Sequence, residues 1–168
     1  WYPNQQAMLY FAKEVWPLLK HEIPDVSMDV IGQSPPDALL ELAVLDDAFR
    51  VHGFVDDVRP YLDRAAVYVC PITDGGGTKL KILDALAMGK ATVADPVACE
   101  GIDVTENKNV LFATSPAEYL KAIQYLFDNP DVRKTMGESA RQLILDQYAY
   151  NNIGKKLSSI YKRVSGEE

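Results

Sequence analysis

The chain has 168 residues, 48% apolar and 24% charged, which is ordinary for one globular domain with its own core. Its net charge of −7 argues against nucleic-acid binding, because that function needs a basic surface. Cys70 and Cys99 are too few for a disulfide framework, and His21 and His52 stand isolated in the sequence. We therefore expect no metal site.

Cys70 ends an apolar run over 67–70, so a buried free thiol is its expected state. The sequence shows no signal peptide and no apolar run of about 18 residues, so we expect neither export nor a membrane span. A reduced, cytoplasmic protein is the expectation.

Helical and strand patterns alternate through the first two thirds of the chain. They predict helices over 5–20, 36–44, 58–65 and 78–88, and strands over 28–32, 49–54, 66–70, 91–94 and 110–113. Pro17 predicts a kink or an end of the first helix. Three further helices follow over 116–127, 130–147 and 151–164, the first opened by a capping box at Ser115, and a frayed tail over 165–168.

This alternation predicts βαβ units and a Rossmann-like, doubly wound parallel sheet with helices on both faces and a helical carboxy-terminal segment. The chain enters a helix at once, whereas such a domain normally opens on a strand. We expect one domain over 1–168 that is a fragment, whose first strand is missing from this sequence or supplied by another chain.

Three consecutive glycines, residues 75–77, follow a predicted strand and precede a predicted helix. The loop therefore lies at the carboxyl end of a parallel strand, where open α/β sheets bind ligands. Glycines let a ligand approach the backbone and expose the amides of the helix start, which Thr78 is expected to cap. Lys79 and Lys81 each cost about 0.3–1 kcal/mol at the positive end of a helix dipole, unless an anion lies there.

A diphosphate is the anion we expect at this loop. The simpler alternative is a tight turn with two solvated lysines. The loop lacks the Gly-Lys pair of a Walker A motif, and Leu80 stands at the third glycine position of a dinucleotide fingerprint.

Asp84 lies near this loop on the predicted helix. An apolar arc is formed by Leu80, Ile82, Leu83, Leu86 and Ala87. Lys81 and Asp84 lie together on the opposite side. They form either an ordinary surface pair or, as the functional alternative, a site where the carboxylate accepts hydrogen bonds from a polyol such as ribose.

Several segments together resemble the retaining glycosyltransferases of family 4, which have the GT-B fold. The resemblance covers residues 1–164 and is carried mainly by the segments 75–90 and 53–62, and also by 1–4, 15–18 and 98–102. It implies that this chain is the carboxy-terminal, donor-binding domain, one half of a GT-B fold. The amino-terminal acceptor domain is then absent.

The resemblance also implies roles for individual residues. The diphosphate of the donor would be bound by Gly76, Gly77, Thr78, Lys79, Leu80 and Lys81. The second acid of the family's donor motif falls at Asp84, which would hold the ribose hydroxyls, and its first acid falls at Gly76. Val55 and Asp57 would lie beside the nucleotide base. No catalytic residue can be assigned in this chain.

The implied reaction is retaining transfer of a hexose-type sugar from a UDP- or GDP-sugar to an acceptor hydroxyl, in the biosynthesis of cell-envelope polysaccharide. The resemblance implies no cofactor and no metal. The donor and the absent amino-terminal domain are the expected partners, and any peripheral membrane contact would come through that domain. Alone, this chain would bind donor weakly and transfer nothing.

Two other functions remain as alternatives at this point. A nucleotide-sugar epimerase shares the GT-B fold and would isomerise the sugar instead of transferring it. A receiver-like regulatory domain is also α/β. Its acidic pocket would have to come from the pairs Asp46-Asp47 and Asp56-Asp57, with Lys90 as its lysine.

Overall fold

The computed structural model describes residues 2–166, so Trp1 and residues 167–168 lie outside the described part. The strands are β1 (Met28–Ile31), β2 (Phe49–Gly53), β3 (Val67–Cys70), β4 (Ala91–Ala94) and β5 (Leu111–Phe112). The helices are α1 (Tyr2–Tyr10), α2 (Trp16–Glu22), α3 (Asp37–Leu45), α4 (Arg59–Arg64), α5 (Leu80–Ala87), α6 (Pro116–Asp128), α7 (Pro130–Leu143) and α8 (Tyr150–Ser165). Each predicted strand and helix is present, with bounds that differ by a few residues.

The strands form two parallel sheets with helices on both sides, which confirms the predicted Rossmann-like α/β class. One sheet pairs β1 with β2, and the other has the order β3-β4-β5. The sheet is not continuous as predicted, because no backbone ladder within residues 2–166 joins β1 to β3. All carboxyl ends of β3, β4 and β5 lie at one edge of their sheet, and the glycine loop follows the first of them.

The first helical segment is interrupted where the proline predicts a kink. A π-helical turn, Phe11–Val15, separates α1 from α2, and Pro17 lies in the first turn of α2. Proline has no N–H to donate, and the change of hydrogen-bonding register in the π-helical turn directly before it accommodates that loss. The turn brings Trp16 into the core, where it is 3% exposed.

Trp16 joins α2 to the start of β2 through Asp46. The indole Nε1 donates to Asp46 Oδ2 at 2.9 Å, and the amide of Ala48 donates to Asp46 Oδ1 at 3.0 Å. Burial raises the pKa of the Asp46 carboxyl, but these hydrogen bonds and the Lys20 ammonium outweigh burial and hold the pKa below its ordinary value. Asp46 is therefore a structural residue.

The carboxy-terminal third is helical, as predicted. The capping box is confirmed: the Glu118 amide donates to Ser115 Oγ at 3.4 Å, and Glu118 Oε2 accepts from the Ser115 amide at 3.1 Å. Helix α7 ends at Leu143, earlier than predicted, because the chain continues as a π-helical turn over Ile144–Tyr148. Of the tail predicted over 165–168, Ser165 belongs to α8, and residues 167–168 lie outside the described part.

The described part of the chain contains no helix that is long and apolar enough to cross a bilayer. Helix α8 has no buried residue.

Cys70 and Cys99 are both free and buried, as expected for Cys70, and burial raises the pKa of the Cys99 thiol to about 12.

Helix α7 approaches the end of α5 through two glycines. Gly89 ends α5 with φ +67°, and a β-carbon on Gly137 of α7 would overlap the carbonyl oxygen of Gly89. This contact lets α7 pack directly on the backbone between α5 and β4.

Asp29 of β1 is the centre of a charged cluster on the first sheet. Arg50 Nε donates to Asp29 Oδ1 at 2.9 Å, and His52 Nε2 lies 2.6 Å from the same oxygen. The hydrogen bond from Arg50, more than that from His52, lowers the pKa of the Asp29 carboxyl to about 2, against an opposing effect of burial.

We expect Gly137→Ala to lower the free energy of unfolding by about 1–3 kcal/mol, because the added methyl must displace backbone. Urea unfolding followed by circular dichroism measures the effect. Gly154→Ala is the matched control, since nothing lies within 4 Å of its added β-carbon in α8. The control should leave stability unchanged or raise it by up to about 1 kcal/mol. Equal changes in the free energy of unfolding for both substitutions would refute the close approach of Gly137 to the Gly89 backbone.

We expect Asp29→Asn to cost about 1–2 kcal/mol of stability near neutral pH and progressively less in acid. The folded pKa is about 2, below the ordinary value of 3.8, so the stabilisation is fully present above pH 3.8 and is lost as the pH falls through 2. Urea unfolding of both chains between pH 6 and pH 2.5 measures the difference. The exposed Asp47→Asn is the control. A difference independent of pH would contradict the ion cluster.

Candidate functional site

The glycine loop, residues 71–79, connects β3 to α5. Gly75 and Gly77 have φ values of +94° and +84°, which residues with side chains rarely adopt. The carboxylate of Asp74 accepts a hydrogen bond from the Gly75 amide at 2.6 Å. Glycine is therefore required by the backbone at two of the three positions.

Thr78 does not cap the helix, so that prediction is wrong. Helix α5 begins at Leu80, and its N-cap is Lys79, without a side-chain capping bond. The Thr78 side chain is directed instead towards the loop after β4, where a β-carbon on Gly101 would lie 2.9 Å from Thr78 Oγ1. Gly101 has φ +79°, a backbone conformation that favours glycine, so the loop after β4 also has a glycine where it meets the glycine loop.

Lys79 is buried beneath the glycine loop and is 7% exposed. Its ammonium donates to the carbonyl oxygen of Gly75. The simple alternative of two solvated lysines therefore fails for Lys79. Its charge supports the turn from inside, and no carboxylate pairs with it among residues 2–166.

A row of backbone N–H groups, those of residues 76–81, follows Gly75 along the chain. Within residues 2–166, the amides of residues 76–81 have no hydrogen-bond acceptor. The amides at the start of α5 carry the positive end of the helix dipole. The row can therefore donate several hydrogen bonds to one anionic group.

The apolar face of α5 is narrower than predicted. Ile82, Ala85 and Leu86 are buried, whereas Leu80 is 72% exposed. Ala87 is also exposed, so its predicted place on the apolar face is wrong as well. Leu80 opens the helix at the edge of the sheet, where no neighbouring element covers its side chain.

Lys81 lies beside the row and is partly buried. Its ammonium donates to Asn4 Oδ1 of α1 at 2.7 Å, and burial lowers the pKa of this ammonium. The ordinary surface pair with Asp84 is not formed within the described residues. Asp84 is exposed, and both side chains line one cavity that extends between α1 and α5.

Val55 and Asp57 lie apart from this group, in the loop after β2 of the other sheet. The Arg59 side chain donates to both oxygens of Asp57, at 2.9 and 3.1 Å from Nε. These hydrogen bonds lower the pKa of the Asp57 carboxyl. Neither Val55 nor Asp57 lines the cavity of Lys81 and Asp84.

The acidic pocket of a receiver-like domain is not formed. Asp46 is bonded to Trp16 and Ala48, and Asp57 to Arg59. The ammonium of Lys90 donates to the carbonyl of Asp63 at 2.8 Å and caps the end of α4.

Two features of the site were missed by reasoning from the sequence. Asn4 is 77 positions from its partner Lys81, so no local pattern connects them. The contact of Gly101 with Thr78 also depends on two loops that follow different strands. The local signal in the sequence that could have indicated this close approach is the glycine at position 101 itself.

Residues 1–129 match the family described as Glycosyl transferases group 1. A glycosyltransferase of Methanocaldococcus jannaschii is 32% identical over 102 residues, which are 58% of this chain and 26% of that protein. A 44.6 kDa protein from the cps region of Klebsiella pneumoniae is 22% identical over 166 residues, 95% of this chain and 42% of that protein. The chain thus spans less than half the length of either curated relative.

Solved structures share the fold at low sequence identity. A Rickettsia africae glycosyltransferase has a TM-score of 0.83 and 19% identity, covering 98% of this chain and 46% of that one. Anabaena HepE in complex with UDP has a TM-score of 0.80 and 16% identity, covering 96% of this chain and 46% of that one. The carboxy-terminal domain of LpcC, a group 1 family protein of Francisella tularensis, has a TM-score of 0.72 and 18% identity, covering 87% of this chain and 81% of that one.

The family match extends over 129 of the 168 residues and includes the glycine loop, Lys81 and Asp84. The matched solved structures have the same α/β architecture as this chain. This chain belongs to the family of group 1 glycosyl transferases.

Proposed function

We propose that this chain is the carboxy-terminal, donor-binding domain of a glycosyltransferase that uses a nucleoside-diphosphate sugar. The observation that carries the proposal is the row of acceptor-free amides over 76–81, beside the ammonium groups of Lys79 and Lys81. A diphosphate offers this row several oxygens and two negative charges. In this proposal the acceptor is bound by a second domain outside residues 1–168.

The diphosphate would lie on the amides of Gly76, Gly77, Thr78, Lys79 and Leu80. Lys79 contributes charge through the loop, because its ammonium is held by the Gly75 carbonyl. Lys81 is the lysine that can turn from Asn4 to a phosphate oxygen. A phosphate would compensate the burial that lowers the pKa of the Lys81 ammonium.

Asp84 would accept hydrogen bonds from the ribose hydroxyls, since its exposed carboxylate lines the same cavity as Lys81. Val55 and Asp57 would lie beside the base, in the loop after β2. Gly76 stands where the family's first motif acid is expected, so contacts to the transferred sugar must come from other residues. No catalytic residue is proposed within this chain.

We propose retaining transfer of a hexose-type sugar. The leaving group is the nucleoside diphosphate, so amides and cations aligned with its oxygens would stabilise the charge that develops in the transition state. Because half of the cleft lies outside this chain, the isolated domain would bind donor weakly and transfer nothing.

UDP is the first nucleotide to test, because HepE was solved with UDP, and GDP is the second. The similarity to a protein of a Klebsiella cps region supports a role in cell-envelope polysaccharide biosynthesis. Two free buried thiols fit a reducing compartment, and we place the enzyme in the cytoplasm.

We expect millimolar UDP or GDP to raise the melting temperature of this chain by about 1–5 °C. Lys81→Ala should weaken binding by about tenfold to 100-fold, because a charge-assisted hydrogen bond contributes about 1.5–3 kcal/mol. Lys121→Ala, an exposed lysine on α6, is the matched control. Thermal shift and calorimetry measure both effects. No stabilisation by any of UDP, GDP and ADP would refute donor binding by this chain.

In the full-length enzyme, we expect Asp84→Ala to raise the donor KM about tenfold, because two ribose hydroxyls lose their acceptor. Asp84→Glu should stay within a few-fold of the parent, since it keeps the carboxylate. Steady-state sugar transfer with identified product anomer measures both, with Asp131→Ala on α7 as control. Unchanged kinetics for Asp84→Ala would remove its ribose role, and an isomerised free donor would indicate an epimerase.

A further inference from the structure

Asn4 of α1 contacts the candidate site through Lys81. It lies in the first turn of α1, and its Oδ1 accepts a hydrogen bond at 2.7 Å from Lys81 Nζ, in the first turn of α5. Both side chains are partly buried. The contact therefore joins the starts of two helices that are far apart in the chain.

The position of Asn4 is fixed by the residues around it in α1. Ala7, one turn further along the helix, is buried and belongs to the same apolar cluster as Ile82 of α5. Gln5 Nε2 donates to the carbonyl oxygen of Ser34 at 3.0 Å, in the loop after β1. The first turn of α1 is thus held between α5 and the first sheet, and Asn4 is held with it.

The ammonium of Lys81 contacts a neutral oxygen, although a carboxylate lies near it in the sequence. Asp84 is three residues further along α5, and both side chains line one cavity. Among residues 2–166, however, no ion pair joins them. An amide oxygen accepts a hydrogen bond without carrying a negative charge. The positive charge of Lys81 therefore stays uncompensated, whereas a carboxylate partner would compete with an incoming phosphate.

The surroundings of Lys81 oppose its positive charge. Burial lowers the pKa of the Lys81 ammonium; the Cys70 thiol acts against this effect, and the nearby Lys79 ammonium adds to it. A hydrogen bond from the charged form of a group to an acceptor favours that form. Asn4 therefore supports the protonated lysine, which is the form that can bind a phosphate.

We propose that Asn4 is a positioning residue of the donor site. Its amide oxygen holds the Lys81 ammonium beside the acceptor-free amides of residues 76–81, without a competing negative charge. A lysine that is already held in place loses less side-chain freedom when it binds a phosphate than a free one does. Helix α1 thus contributes to a site whose other groups come from the glycine loop and α5. This inference rests on the proposed donor binding.

Calorimetry with UDP tests this role in a double-mutant cycle, at a temperature where circular dichroism shows every variant to be folded. Asn4→Leu removes the acceptor and keeps a side chain of similar size. We expect it to raise the dissociation constant of UDP at least about threefold in the unchanged chain, and less than about twofold in the Lys81→Ala background. Asn151→Leu, at an exposed asparagine in the first turn of α8, is the matched control and should leave the constant unchanged.

The pKa of Lys81, followed by carbon-13 NMR of its ε-methylene group, tests the contact without any nucleotide. Asn4→Leu should lower this pKa, because the charged form loses an acceptor, and Asn4→Asp should raise it through a carboxylate. Asn4→Asp should also weaken UDP binding, because the new carboxylate competes with the phosphate for the ammonium. A pKa of Lys81 that is the same in Asn4→Leu and in the unchanged chain would overturn the inference.

The remaining outcomes separate this inference from the proposed function. If the unchanged chain binds none of UDP, GDP and ADP, donor binding is refuted, and the role of Asn4 in it falls as well. If the unchanged chain binds UDP and Asn4→Leu binds it equally well, only the role of Asn4 is overturned. Equal weakening by Asn4→Leu with and without Lys81 would also overturn that role, since the effect would then not depend on the ammonium.

Discussion

The parallel pairing of β3 with β4 is the interaction on which the candidate site depends. Its register places Cys70 beside Ala94, so the loops that follow both strands leave the sheet at the same edge. These loops meet where Gly101 contacts Thr78. The amides over 76–81, which have no acceptor within residues 2–166, lie in this loop and at the start of α5, where Gly75 and Gly77 have positive φ values.

The candidate site carries positive charge, although the net charge of the whole chain is negative. The net charge is −7, yet two lysines lie partly or fully buried next to the positive end of α5. Lys79 is held by a carbonyl and Lys81 by an amide oxygen, and neither pairs with a carboxylate in residues 2–166. Neutral partners leave both charges available to an anion, whereas a carboxylate would compete with it.

Periodicity and turn residues were enough to predict the order of strands and helices, because apolar spacing and local breakers act over a few residues. The Ser115 capping box, the interruption of the first helix before Pro17 and the end of α5 near Gly89 are of this kind. The predictions that Thr78 caps α5 and that Leu80 lies on the apolar face of this helix were wrong. Both depend on where α5 begins relative to the loop after β4, which local spacing does not encode.

By itself, the sequence determined the α/β class, the glycine loop after β3 and the presence of two lysines and an aspartate next to it. Only the tertiary structure decided that Lys79 lies beneath the loop, that Lys81 reaches Asn4 and that the sheet is open between β1 and β3. These are contacts between segments far apart in the chain. They depend on backbone hydrogen bonding across a whole sheet, where each strand must find partners on both sides.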